Sequence, residues 1–178
     1  MLGLISLFMW SLQGIMAIAV LGLSVDLVKG QLLGDAPTTT KYGTFTGGFG
    51  LAVAILGLAA TFIDAIPALV VMAADALSGL LLLGGGIAFA IGLRGVTCTT
   101  ERLEAIRENE LINGGSVKYK EEKALHEDMT TARLFANCKK ATADQALQFV
   151  TVGFVITTIF LVFLVWKNGR GSKGGAYV

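Results

Sequence analysis

The sequence is poor in charged residues and in the residues that build metal sites. Only 15% of its 178 residues are charged, and it contains two cysteines, two prolines and one histidine. A soluble domain usually carries about 25% charged residues, so a water-soluble globular domain is not expected. The formal net charge of +1 gives no basic surface for nucleic acid. One histidine and two cysteines also exclude a zinc site of the usual ligand spacing.

Long apolar stretches dominate the chain instead. Hydrophobic residues make up 54% of the sequence, and the mean hydropathy is +0.71. Apolar runs of about 20 residues are typical of helices that cross a bilayer, and four such runs are present. The sequence therefore predicts an all-α fold, a four-helix transmembrane bundle over residues 1–167. The predicted spans cover about residues 2–25, 42–63, 67–93 and 146–166.

The segment between the third and fourth spans, residues 95–143, is highly charged. Two stretches of helical composition, residues 101–112 and 118–136, predict two short surface helices there. His126 lies among charged neighbours in this segment, so it is predicted to be solvated rather than to bind a metal. After the fourth span, residues 168–178 form a short glycine-rich tail.

The two cysteines bear on the orientation of the chain in the membrane. Cys98 follows the third span and Cys138 precedes the fourth, so a disulfide between them would close a loop of about 40 residues, worth up to ~4 kcal/mol. The alternative is two unrelated thiols. Disulfides persist on the oxidising side of a membrane, so the pairing predicts an extracellular loop and cytosolic termini. The basic tail agrees with this orientation, whereas the larger number of basic residues in the loop favours the opposite one.

Small residues recur at helical spacing in two spans. Gly84, Ala88 and Gly92 share one face of the third span, and Gly43 and Gly47 share a face at the start of the second. Small residues at this spacing let helices approach closely in lipid. The pattern indicates either packing within one bundle or an interface between copies in a homo-oligomer.

Asp75 is a carboxylate about two turns inside the third span. A charge at that depth costs roughly 2.5–3.5 kcal/mol on insertion scales, so a role for Asp75 is expected. It could hydrogen-bond a neighbouring helix through Ser6, Ser11 or Thr61, contact a lipid headgroup in its protonated form, or carry a proton or cation. The spans contain no lysine, arginine or histidine partner, which favours the first two roles. Arg94, at the end of the span, can reach headgroup phosphates.

The chain contains no nucleophile, base and orienting group at a recognisable spacing. The sequence therefore predicts a protein that is not an enzyme. No catalytic residue, metal site or cofactor is expected, apart from bound lipid.

Three short motifs carry a resemblance to a known family. They are Phe62-Ile63-Asp64 before a turn containing proline, Ala74-Asp75 early in the third span, and Ala90-Ile91-Gly92-Leu93-Arg94 followed by Cys98. Together with the four-span layout, these residues resemble the fungal MARVEL-domain tetraspan proteins of the non-classical export type. The matching positions are Asp64, Asp75, Gly92, Arg94 and Cys98.

The resemblance implies a multi-pass plasma-membrane protein that organises lateral membrane domains. Relatives are associated with eisosome furrows, with the response of the membrane to sphingolipids and with unconventional export. The expected partners are membrane lipids such as a sphingolipid or sterol, further copies of the chain and other plasma-membrane proteins. Two other functions stay open: a small channel or proton-coupled transporter that uses Asp75, and an accessory subunit of a larger membrane complex.

Overall fold

The computed structural model describes residues 2–32, 34–63, 66–115 and 129–169. In those ranges, four long α-helices satisfy the length and hydropathy of membrane spans, which confirms the predicted all-α transmembrane bundle. A 3₁₀ turn, Thr100–Arg102, precedes the one short helix described. The helices are α1 (Leu2–Lys29), α2 (Thr38–Ala60), α3 (Ala68–Gly92), α4 (Leu103–Glu108) and α5 (Thr131–Gly169).

The two prolines of the chain set the starts of the two central helices. Pro37 directly precedes α2 and Pro67 directly precedes α3. Proline suits the start of a helix, because the first helical N–H groups have no partner within the helix. At the other end of α3 the chain turns at Gly95, whose φ of 78° lies in the left-handed region that glycine adopts without strain. Local sequence therefore fixes both ends of α3.

The four long helices form a ring in which α1 packs on α2, α2 on α3, α3 on α5 and α5 on α1. Along each helix the buried residues recur at alternating spacings of three and four. This spacing is typical of helices that cross at about 20°. On α2 most of the buried positions hold glycine or alanine: Gly43, Gly47, Gly50, Ala54 and Gly57.

One end of the bundle carries both long connections and is called the loop end; the other, with the α2–α3 connection, is called the terminal end. At the loop end, α3, α4 and α5 share a small apolar core. The two connections contact each other, since the Leu32 N–H donates to the Gly114 carbonyl at 2.9 Å. Asp26 of α1 forms an ion pair with Lys140 of α5, with Oδ2 and Nζ 2.5 Å apart. The loop end is thus a folded cap on the four spans.

The helix that carries the fourth span is longer than the predicted span, about residues 146–166. Helix α5 begins at Thr131, so residues 137–143, between the second predicted surface helix and the predicted span, are helical as well. Leu134, Cys138 and Ala141 are buried on one helical face against the loop-end core. Tertiary burial of this stripe extends the helix beyond the apolar run.

Other helix ends differ by smaller amounts. Helix α1 continues to Lys29, past the predicted residue 25, and α2 is shifted towards the N-terminus, from 42–63 to 38–60. The first predicted surface helix, 101–112, ends at Glu108, since the Asn109 side chain donates to the Gly92 carbonyl and accepts from the Leu111 N–H. Most of the second, 118–136, and His126 lie outside the described residues, as do residues 170–178 of the tail.

Candidate functional site

The interior of the bundle contains two layers of buried polar side chains. The layer nearer the loop end comprises Ser24, Asp144 and Gln148; the layer nearer the terminal end comprises Gln13, Asp75 and Thr158. Each layer contains one carboxyl group, and both carboxyl-bearing residues are at most 2% exposed. On α1 the two layers are eleven residues apart, or about 16 Å at 1.5 Å per residue.

Asp144 links two helices in the loop-end layer. One carboxylate oxygen accepts a hydrogen bond from the Ser24 hydroxyl of α1. The other accepts from Nε2 of Gln148, one turn further along α5, at 3.1 Å. All three residues are fully buried. Because lipid offers no partner for such groups, the Ser24–Asp144 hydrogen bond holds α1 against α5.

Two glycines make room for this layer from the remaining two helices. A Cβ atom on Gly43 of α2 would overlap the Ser24 hydroxyl oxygen, and a Cβ atom on Gly85 of α3 would overlap the Gln148 amide oxygen. That amide oxygen has no hydrogen-bond partner and lies against the bare Cα of Gly85. All four helices therefore meet at the loop-end layer.

Asp75 joins three helices in the terminal-end layer. The Gln13 side chain of α1 hydrogen-bonds the Asp75 carboxyl group, and Gln13 Nε2 also donates to the Thr158 hydroxyl of α5 at 3.3 Å. The second Asp75 oxygen, Oδ2, is buried without a hydrogen-bond partner. A cavity of about 30 Å³ lies one helical turn away, beside Val71, which is room for about one water molecule.

The partners suggested for Asp75 by its position in the sequence are not the ones in the structure. The Ser11 and Thr61 hydroxyls donate to backbone carbonyls of their own helices, at 2.8 and 2.6 Å. Ser6 lines the small cavity. The partner is Gln13, so Asp75 makes a polar contact between helices and is shielded from lipid.

The predicted small-residue positions divide into two groups. Gly43 and Gly47 are buried between α1 and α2, where a Cβ on Gly47 would lie 2.6 Å from the backbone nitrogen of Leu21. Gly84 is exposed on the outer face of α3, Ala88 is half-buried, and Gly92 packs under Leu111. Inward contacts of α3 are made instead by Gly79, Gly85 and Gly86.

The remaining predicted residues lie at the ends of the spans. Cys98 and Cys138 are joined by a disulfide, with their Cα atoms 5.8 Å apart, which ties the segment after α3 to the second turn of α5. Arg94 is exposed just beyond α3, and Asp64 lies outside the described residues.

Comparison with protein families decides the class of the protein. The family model for MARVEL, a membrane-associating domain, matches residues 3–161. The chain belongs to the MARVEL family. Neither a curated protein nor a solved structure matches it. MARVEL is a family of membrane-associating domains rather than of enzymes, and both polar layers and the disulfide lie within the matched region.

Five polar residues of this MARVEL bundle were not found from the sequence: Gln13, Ser24, Asp144, Gln148 and Thr158. Placing the start of the fourth span near residue 146 left Asp144 outside the membrane. The sequence does contain a pattern that could have identified them on α5. Asp144, Gln148, Thr151 and Val155 are separated by four, three and four residues. This spacing places all of them on the buried face of α5.

Removal of the Asp144 carboxylate tests the loop-end layer of the MARVEL bundle. We expect Asp144→Ala to lower the free energy of unfolding by about 1–3 kcal/mol, because the Ser24 hydroxyl and the Gln148 amide lose their acceptor. Asp144→Asn keeps one acceptor oxygen and should retain most of the stability. Thermal unfolding in detergent micelles measures both variants.

Asp35→Ala is the control for Asp144→Ala, because the Asp35 side chain is 98% exposed and a surface substitution usually changes stability by less than about 0.5 kcal/mol. If Asp144→Ala unfolds at the wild-type temperature, the layer does not hold α1 and α5 together.

Proposed function

We propose that this MARVEL protein organises lateral domains of the plasma membrane by contacting lipids and by associating with further copies of itself. The observation that carries the proposal is the outward position of Gly84 on α3. Gly84 is exposed in a stripe with three large, exposed apolar side chains, Leu80, Ile87 and Ile91. A glycine between large side chains leaves a hole on the helix surface, bordered here by the Tyr42 hydroxyl at 3.3 Å from the Cβ position of Gly84. Holes of this kind receive side chains of a neighbouring helix in lipid.

The division of residues between the inside and the outside of the bundle supports this function. About a third of the residues in the most apolar part of α1, α2 and α3 are buried within the chain, and 28% are buried in that part of α5. Both polar layers are satisfied mainly by contacts between helices inside the bundle. Most of the span surface is therefore apolar and available to lipids or to another protein.

The disulfide supports an orientation for the protein. Disulfides persist on the oxidising side of a membrane, so the loop end is proposed to face the extracellular side and both termini the cytosol. Within the MARVEL family we place the protein with the fungal non-classical export and eisosome-associated members, on the motifs that end at Arg94 and Cys98. The proposed partners are sphingolipids or sterols and other plasma-membrane proteins.

Filling the hole at Gly84 tests self-association. We expect Gly84→Leu to weaken association in liposomes about tenfold, which corresponds to about 1.4 kcal/mol, because leucine removes the hole that a second copy would occupy. Energy transfer between two labelled populations of the full chain measures the associated fraction. Gly153→Leu is the matched control: Gly153 is an exposed glycine of α5 with no side chain or other-helix atom within 4 Å of its Cβ position.

Three results would contradict the proposal. The first is a wild-type chain that stays monomeric and spreads evenly in membranes with or without sphingolipid and sterol. The second is an ion or proton flux in proteoliposomes that Asp75→Asn abolishes, which would favour the channel or transporter. The third is co-purification at a fixed ratio with a larger complex, which would favour an accessory subunit.

A further inference from the structure

A polar cleft of about 600 Å³ opens at the loop end of the bundle. Its volume is within the range of ligand pockets, about 300–1,000 Å³. One wall consists of residues 35–39 and Lys41, from the α1–α2 connection and the first turn of α2. The opposite wall consists of residues 108–111, which follow α4, and Gly92 also lines the cleft. The cleft is thus built by two connections that the rest of the loop end holds together.

The two walls differ in charge. Glu108 and Glu110 place two carboxylates on the wall that follows α4. The wall of α2 carries the Lys41 ammonium and the positive end of the α2 dipole, where Pro37 provides no side-chain cap. Lys41 is paired with Asp35 at 3.6 Å, but Asp35 is 98% exposed. Exposed ion pairs contribute little to stability, so an anionic group can replace Asp35 at small cost.

The cleft lies at the level of the membrane surface. Its lining includes Thr38, the first residue of the α2 span, and Gly92, the last residue of the α3 span. One residue beyond Lys41, the Tyr42 ring packs near Phe45 at a centroid distance of 6.3 Å, and aromatic side chains mark the interface between lipid and water. We therefore place the lipid headgroups at the height of the cleft and the hydrocarbon beside it.

We propose that the cleft binds the headgroup of a zwitterionic phospholipid. The phosphate binds Lys41 and the start of α2, and the amine binds Glu108 and Glu110, while the acyl chains stay in the adjoining bilayer. None of the described lining residues is aromatic, and a quaternary amine needs an aromatic cage. A primary ammonium, which donates hydrogen bonds to carboxylates, fits better, so ethanolamine is the favoured headgroup. The inference rests on the proposed contact with lipids and gives it a position and a headgroup class.

The test compares two phospholipids with the same phosphate, one with an amine in its headgroup (ethanolamine) and one without (glycerol). Full-length protein in detergent micelles is given equal amounts of phosphatidylethanolamine and phosphatidylglycerol with identical acyl chains, and native mass spectrometry counts the lipid retained. We expect the wild type to retain phosphatidylethanolamine about tenfold more. The double variant Glu108→Gln/Glu110→Gln should retain the two lipids equally, because only the amine contact is lost.

Matched controls separate the cleft from general charge effects. Glu101→Gln/Glu104→Gln makes the same change in charge at two exposed carboxylates outside the cleft, and it should keep the tenfold preference. Lys41→Gln should weaken retention of both lipids, because both carry the phosphate, whereas Lys139→Gln on the exposed surface of α5 should not.

Equal retention of the two lipids by the wild type would overturn the assignment, and so would a preference that survives in the double variant. If micromolar free phosphoethanolamine displaced the bound lipid, the cleft would be a site for a soluble molecule, and the assignment to a membrane lipid would be wrong. The proposed function fails in a different way: a chain that prefers phosphatidylethanolamine but never associates in liposomes would contradict self-association and leave the cleft intact. Gly84→Leu should leave the lipid preference unchanged.

Discussion

Replacing Gly47 by alanine is expected to destabilise the bundle by about 3 kcal/mol. A Cβ at this position would lie 2.6 Å from the backbone nitrogen and 2.8 Å from the Cα of Leu21. Overpacking usually costs about 1–3 kcal/mol, and the upper end applies here because the obstacle is helix backbone, which cannot rotate away as a side chain does. We expect α1 and α2 to separate and the unfolding temperature in detergent micelles to fall.

The adjacent residue provides the control for this substitution. A Cβ on Gly48 would meet only the Leu21 Cδ1 atom, at 4.0 Å, so Gly48→Ala should not destabilise the protein. Both substitutions gain the same helix propensity, about 1 kcal/mol for alanine over glycine. The difference in stability between the two variants therefore measures the cost of the close contact between Gly47 and Leu21. Equal unfolding temperatures for the two variants would show that Gly47 does not set the distance between α1 and α2.

Loss of the disulfide should have a comparable effect. The bond joins residues 40 apart, and closing a loop of that length is worth up to ~4 kcal/mol in the loop-entropy model. The membrane helices at both ends of the loop already restrict the unfolded chain, so we expect Cys98→Ser/Cys138→Ser to lose about 2–4 kcal/mol. Thermal unfolding of the wild type and of the double variant, each with and without reductant, measures the loss.

Reductant should lower the unfolding temperature of the wild type to that of the double serine variant and leave the variant unchanged. The same bond gives a check on orientation. An impermeant maleimide applied to intact cells should label Cys98, which is half-buried, only after an impermeant reductant, whereas Cys138 is buried. Labelling without reduction would show free thiols and contradict both the pairing and the proposed extracellular loop end.

The features that the sequence predicts well are those that local residues determine. Hydropathy locates the four spans, and the position of Pro67 places the start of α3 within one residue of the observed helix. The start of α5 depends on the cap instead. Leu134 and Cys138 favour a helix only because α3 and α4 supply a core for them, and hydropathy does not include that core.

The partners within the polar layers also depend on tertiary contacts that the local sequence does not specify. Asp75 is evident in the sequence as a charge within an apolar run, but its partner Gln13 is about 60 residues away and on another helix. The three consecutive residues Gly84, Gly85 and Gly86 are chemically identical, yet one is exposed and two are buried. The direction that each one faces depends on the rotation of α3 within the ring, which packing against α2 and α5 determines.

The length of α5 has a mechanical consequence. It is one uninterrupted helix of 39 residues, about 58 Å long at 1.5 Å per residue, whereas the hydrocarbon layer is about 30 Å thick. Its first turns belong to the cap, through the disulfide and the Lys140 ion pair, and its last turns reach the opposite face. The helix therefore connects the cap to the opposite face as one continuous rod. A tilt of about 10° imposed on the cap moves the far end of such a rod by about 10 Å, so force applied on one side of the membrane becomes displacement on the other.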